Sequence, residues 1–233
     1  MNFLNAHSLL LLMLDPMTGR VPKRADPHLD VALAGTIVVE FVLSVEIDIR
    51  WSTSPEPYPA LVDVPVESDP RAANLRARYR DEMSADPILG PAHRFITHRE
   101  LPVRDMLGEL GVGLRQRLLD DLAGSGMIRA VRSRSWLGPA GSRWPIVDPT
   151  VRNTLHAAAR RQLLGEIPMD TATGVVIALI EALGCAPQIL GQPGLSDQAT
   201  VARAKECFFA MKGTERGRPA RDIVIGLLRE GGA

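Results

Sequence analysis

The sequence predicts a mainly α-helical protein: a single globular domain in which buried hydrophobic helices are surrounded by amphipathic ones, with a β-hairpin and short strands added. Three observations lead there. The runs "VALAGTIVVEFVL" and "TATGVVIALIEALG" are apolar on nearly every side of a helix, so both belong in a core. Leu107, Leu110, Leu114, Leu118 and Leu122 keep steps of three and four, which is one helical stripe. Strand-like stretches are few and short. With 233 residues, 45% of them apolar and 23% charged, the chain is long enough to bury a sizeable core and to make one domain of residues 1–233.

Taken in order, Ser8 is placed to cap a first helix, "LLLLML", which ends at the turn Asp15-Pro16-Met17-Thr18-Gly19. Asp26-Pro27 then supplies a cap and a first-turn proline for the first buried helix, running to about Leu43. "EIDIR" reads as a strand, "STSPEPYP" as a loop and "ALVDVPV" as a second strand, kept at a sheet edge by Pro65. Residues 70–83 form a charged helix, "DPILGPAHRF" a loop, and a further helix begins near Pro102 and carries the leucine stripe to Gly124 and Gly126. Two arms around a Gly-Pro-Ala-Gly tip read as a hairpin. Asp148-Pro149-Thr150 restarts a helix to about Leu164, and the second buried helix follows. After the loop "GQPGLSD" come helices over Ser196–Met211 and from about Pro219 to Arg229. Cys185 and Cys207 are too few for a disulfide framework and sit in apolar helical surroundings, so buried free thiols are expected.

Twenty-seven basic residues balance 27 acidic ones, which argues against coating nucleic acid by bulk charge. Charge is nonetheless uneven. Residues 126–149 hold Arg129, Arg132, Arg134 and Arg143, no acid before Asp148, and two of the three tryptophans. Arginine with tryptophan suits a membrane–water interface, where indole sits among headgroups and guanidinium meets phosphate. The expected roles are lipid contact for the four arginines and insertion for Trp136, Leu137 and Trp144. The plain alternative is a solvated hairpin whose tryptophans pack on the domain beneath. A helix followed by a basic hairpin is also the outline of a winged-helix DNA-binding regulator, but Asp120 and Asp121 lie on the preceding helix, and nucleic acid is disfavoured as a partner.

Signals for catalysis are weak. None of the five histidines stands at metal-ligand spacing, and no nucleophile elbow, phosphate-binding glycine loop or zinc helix is present, so neither metal nor cofactor is expected. In "HRFITHRE", His93, Arg94, His98, Arg99 and Glu100 form the richest cluster for acid–base work, with His93, His98 and Glu100 the candidates. The plainer reading is a polar loop that holds its charges in water. No basic lead-in of a secretory signal opens the chain, and both apolar runs fall short of the roughly 20 residues that span a bilayer. A cytoplasmic protein is expected, bound to the inner face of a membrane at most at its surface.

Four stretches in order add a resemblance: "SLLLLMLDPMTGRV", "LDVALAGTIVVEFVLSVEIDI", "VGLRQRLLDDLAGSGMI" with "RWPIVDP", and "LHAAARRQLLGEIPMDTATGVVIALIEALG". Together they resemble the Golgi phosphoprotein 3 family in its bacterial, actinobacterial form, over roughly residues 8–190, with residues 191–233 matching less clearly. The resemblance implies a mainly helical fold around a buried helix. It also implies peripheral membrane binding, which in eukaryotic members is to phosphatidylinositol 4-phosphate through a tryptophan and several arginines, with a hydrophobic hairpin dipping into the bilayer. In that register Arg115 matches one headgroup arginine. Ala34 and Val112 stand where two others are expected, and the tryptophan position falls at or near Ala25; Arg117 lies in the same "RQR" segment. Ser44-Val45 replaces an arginine-glycine exit from the buried helix, so the neighbouring site is expected to be rebuilt. The partner is therefore an anionic membrane lipid or, alternatively, a small apolar ligand such as a bacterial secondary metabolite in a remodelled pocket, with a homo-oligomer left open.

Overall fold

The leucine run at the start of the chain becomes the most enclosed helix of the fold. The computed structural model describes residues 4–43, 47–51, 57–61, 85–99, 101–132, 142–210 and 225–226. Helix α1 spans Asn5–Met13, and every residue from Ala6 to Met13 is buried. A nine-residue helix is not stable alone, so its order comes from packing. It touches four others: α2 (Leu29–Leu43), α5 (Leu114–Gly124), α6 (Thr150–Leu163) and α7 (Thr171–Ala182). Ser8 is not its cap. The helix begins three residues earlier, where His7 Nδ1 accepts the Leu4 N–H at 3.1 Å, and His7 Nε2 lies 3.0 Å from Asp121 on α5. Burial lowers the His7 pKa, with Asp121 opposing. The core thus holds three enclosed helices rather than two.

A 3-10 turn, Asp26–His28, leads into α2 with Pro27 at its start. The Asp26 carboxylate does not cap it, and its partner is described below. Leu33, Ala34, Ile37, Val38 and Phe41 are buried along α2, and α4 (Val103–Gly111) and α5 pack against it. The leucine stripe is buried from Leu107 to Leu122, but it runs across two helices. The chain breaks at Val112-Gly113, where Gly113 takes a left-handed φ of 69°, a conformation that glycine supplies without a side-chain clash.

Two expectations need correcting between these helices. Strand β1 (Ile47–Trp51) is where "EIDIR" predicts it, and its partner is β2 (Pro57–Leu61). That strand begins within the last three residues of the expected loop and takes in the first two of the expected second strand, whose remainder lies outside the described residues. Pro57 and Pro59 are tolerated because both strands of a two-stranded sheet are edges. The expected loop over residues 86–95 is largely helix α3 (Leu89–Thr97). Asp86 Oδ1 accepts the Ile88 and Leu89 N–H groups at 2.8 Å, and Leu89, Ala92 and Ile96 form the buried face. The expected 70–83 helix lies outside the described residues, as does most of the last helix and the Ser44-Val45 exit.

Val131–Arg132 (β3) pairs antiparallel with Ser142–Arg143 (β4), and Ile128 bridges Ile146 below them. The tip expected to join them, residues 133–141, is outside the described residues. Helix α7 is capped by Asp170, which accepts the Thr173 N–H at 2.8 Å, and its residues from Gly174 to Ile180 are buried. Short α8 (Ala186–Leu190) and α9 (Asp197–Ala210) complete the described helices. Cys185 and Cys207 are buried and free, as expected. Among the described residues no helix is long and apolar enough to cross a membrane.

Candidate functional site

The loop between α1 and the 3-10 turn organises the surface. Asp15 Oδ1 accepts the N–H groups of Met17 (3.2 Å) and Thr18 (2.7 Å) and the Thr18 hydroxyl (2.7 Å). Those bonds, the Thr18 hydroxyl first, hold its carboxyl below the usual range. The loop then lies along the base of the paired strands: Trp144 N–H donates to Gly19 O at 3.3 Å, and Ile146 N–H to Pro16 O at 3.1 Å. Gly19, at φ 62°, is pressed so closely that a Cβ there would stand 2.0 Å from the Trp144 carbonyl carbon.

On one side of this loop opens a cavity of about 480 Å³, whose walls include Leu14, Arg20, Lys23, Asp26, Arg115 and Trp144. Arg115, in the first turn of α5, reaches across to the start of α2. Its Nε donates to Asp30 Oδ1 at 2.7 Å, one Nη to Asp26 Oδ1 at 2.6 Å and the other to the Asp26 carbonyl at 2.8 Å. Three of five guanidinium N–H donors are thereby committed, which leaves two for anything in the cavity. Arg20 and Lys23 are exposed and make no ion pair among the described residues.

The expected lipid-contact residues fall into separate groups. Arg115 lines this cavity. Arg117, two residues on, points elsewhere, into an open groove with Phe95, Leu110 and Val112. Arg129 and Arg143 are exposed on the two arms beside the cavity. Of Arg132 the structure gives the strand position only, while Arg134, Trp136 and Leu137 lie outside the described residues. Trp144 corrects an expectation. It is only 8% exposed and belongs to the hydrophobic core. Its backbone is tied to Gly19, and the residue lines the cavity while packed in the core, not held out toward a bilayer. For Trp144 the plain alternative, a tryptophan packed on the domain beneath, is the one realised.

The positions read by register are equally informative. Ala25 and Ala34 are fully buried, and Val112 is 76% exposed beyond the end of α4. No side chain at these three places could grip an anion. The two described acid–base candidates, His93 and His98, do not converge either. His93 turns inward, its ring meeting that of Phe41 edge-on at 5.6 Å, whereas His98 is exposed with Nδ1 at 2.9 Å from Arg94 O. Glu100 is outside the described residues. Among the described residues no group of three histidines, cysteines or carboxylates is placed to hold a metal ion.

Sequence reasoning missed Asp26 and Asp30 as partners of Arg115, and Arg20 and Lys23 as cavity walls. The signal for the first pair was present: two acids four residues apart at the start of a helix stand on one face. Their target, 85 residues on, was legible only from the fold.

The family model of Golgi phosphoprotein 3 (GPP34) matches residues 6–224, nearly the whole chain. A comparison with curated proteins gave no match.

Proposed function

The chain belongs to the Golgi phosphoprotein 3 family, and from that premise we propose that it binds anionic lipid at a membrane surface without catalysis, residues 1–233 acting as one domain. One observation carries the proposal: an open cavity walled by Arg20, Lys23 and Arg115 lies at the foot of two paired arms that expose Arg129 and Arg143. On this proposal the arms are the stem of a hairpin. Arg132 and Arg134 add to the positive field, and Trp136 and Leu137 at the tip enter the interface. Each basic residue near an anionic bilayer contributes about 1 kcal/mol, so several acting together hold a protein reversibly.

The proposal stops short of a particular phosphoinositide. Three of the four positions at which the family resemblance expects a headgroup contact are Ala25, Ala34 and Val112, and the fourth, Arg115, is shared with Asp26 and Asp30. Attraction is therefore diffuse. The cytoplasmic leaflet, rich in anionic lipid, is the fitting surface. A closed apolar pocket beneath the buried helices has less support: the cavity beside Ser8, Leu12 and Val176 holds about 100 Å³. Ligand pockets for drug-sized molecules start at about 300 Å³.

The test is sedimentation with vesicles containing phosphatidylglycerol, comparing the parent with Trp136→Ser/Leu137→Ser. Losing that apolar burial, at about 25 cal/mol per Å², should weaken binding about tenfold or more. A double variant that sediments as well as the parent contradicts the hairpin's role.

A further inference from the structure

The opposite side of the Asp15–Pro22 loop carries a second cavity, of about 400 Å³, walled by Arg20, Arg152, Thr18 and Gln188 over an apolar floor that includes Leu14 and Ile189. We propose that this cavity is a binding site for a phosphomonoester carried on a small aliphatic body, gripped between the guanidinium groups of Arg20 and Arg152.

Arg152 is the first of three residues, with His156 and Arg160, that α6 presents at four-residue steps. All three donate to backbone carbonyls at the ends of neighbouring helices. Arg152 Nε binds Leu11 O (3.2 Å), His156 Nε2 binds Ile189 O (2.6 Å) and an Arg160 Nη binds Gly191 O (2.5 Å). The first bond fixes the Arg152 side chain while using one of its five N–H donors. The forked Nη end, half-buried, has no ion-pair partner among the described residues. Among the described residues Asp15 is the one acid lining the cavity, and its Oδ1 is bound three times within its own turn, with no oxygen within ion-pair distance of Arg152. Burial lowers the pKa of Arg152, and the Asp15 charge opposes that shift without cancelling it.

The chemistry of the walls selects the ligand class. Two guanidinium forks match an oxyanion with several oxygens. The cavity is larger than an inorganic ion needs, and Leu14 and Ile189 offer the remainder an apolar bed. No aromatic side chain lines it among the described residues, so a nucleobase finds nothing to stack on. The same group reaches a protein in two ways, as a free metabolite or as the headgroup of a phosphatidic acid. The site is independent of the hairpin, since neither Trp136 nor Leu137 takes part.

The experiment is calorimetric titration of the full chain with glycerol 3-phosphate, in parallel with flotation on phosphatidylcholine vesicles with and without phosphatidic acid. Arg20→Gln removes a side chain with no structural bond among the described residues; Arg152→Lys keeps a charge near Leu11 O but loses the fork. Arg161→Gln, on the exposed side of α6, controls for net charge. Binding of either probe that falls about tenfold or more in both site variants, but not in the control, is the expected result. Heat with the soluble probe assigns the site to a metabolite, and flotation alone assigns it to the lipid. Binding of neither probe, or equal loss in Arg161→Gln, overturns the proposal.

Discussion

Two arginines stand on opposite sides of one loop, and their surroundings could hardly differ more. Arg115 is held by two carboxylates and a carbonyl, whereas among the described residues Arg152 is held by a single carbonyl and leaves its fork open. Both line cavities of similar size. The lesson is that positive residues around a pocket matter less by their number than by what already occupies their donors. Counting basic residues would rank the Arg115 side first, since it also has Lys23. Counting free guanidinium donors on the two arginines themselves reverses the order, with four on Arg152 against two on Arg115 among the described residues.

The severest way to break this comparison is to remove the loop that separates the two sides. Gly19→Ala places a Cβ within 2.0–2.3 Å of the Trp144 and Pro145 backbone at a φ of 62°. A clash with backbone cannot be relieved by a rotamer change, so roughly 3 kcal/mol or more of stability should be lost. Denaturant unfolding checks this, and an unchanged midpoint would show that the loop does not sit against Trp144.

The same rule of pairing can be sharpened at a carboxylate. Glu40, on α2, is largely buried, with no cation beside it among the described residues. Burial, with Asp86 adding to it against an Asn5 backbone hydrogen bond, pushes its pKa from 4.5 up to about 7. The folded protein therefore holds this proton more tightly than the unfolded chain does. The resulting contribution is complete below about pH 4.5 and is lost as pH rises through about 7. Glu40→Gln should remove that penalty and raise stability at pH 8 by about 2 kcal/mol, with little gain at pH 4. Melting curves at both pH values decide it: equal shifts at each pH would mean that the carboxylate is not desolvated.

A smaller effect should follow from freeing Arg115. Asp26→Asn with Asp30→Asn removes both competing charges from one guanidinium. Exposed ion pairs contribute only about 0–1 kcal/mol, so the fold should persist while affinity for anionic vesicles rises about threefold to tenfold. Unchanged affinity would mean that this cavity does not face the membrane.

Much of the fold was legible because its strongest signals are local. Helices α2 and α7 are apolar all round, and the leucine stripe is buried from end to end. What was hidden depends on distant contacts. Helix α3 was masked by Gly90 and Pro91, which read as breakers although Asp86 caps the segment. The break at Gly113 was masked because the stripe continues in phase across it. Arg115 could be singled out by family register, but nothing near it in sequence announces Asp26 or Asp30. Nothing near Arg152 in the sequence announces its partner, because Leu11 O lies on α1, 141 residues earlier. Trp144 was misjudged for a related reason. An aromatic beside arginines suits an interface and a core equally well, and the Asp15–Arg20 turn that covers it lies more than a hundred residues earlier.

The most direct test of membrane association is flotation of the purified protein with neutral and with anionic liposomes, each at low and at moderate salt. Binding that requires anionic lipid and fades as salt rises is the predicted result, because the attraction comes from exposed arginines screened over about 10 Å at 0.1 M salt. Absence of binding in every condition, or equal binding to neutral vesicles, would contradict the account.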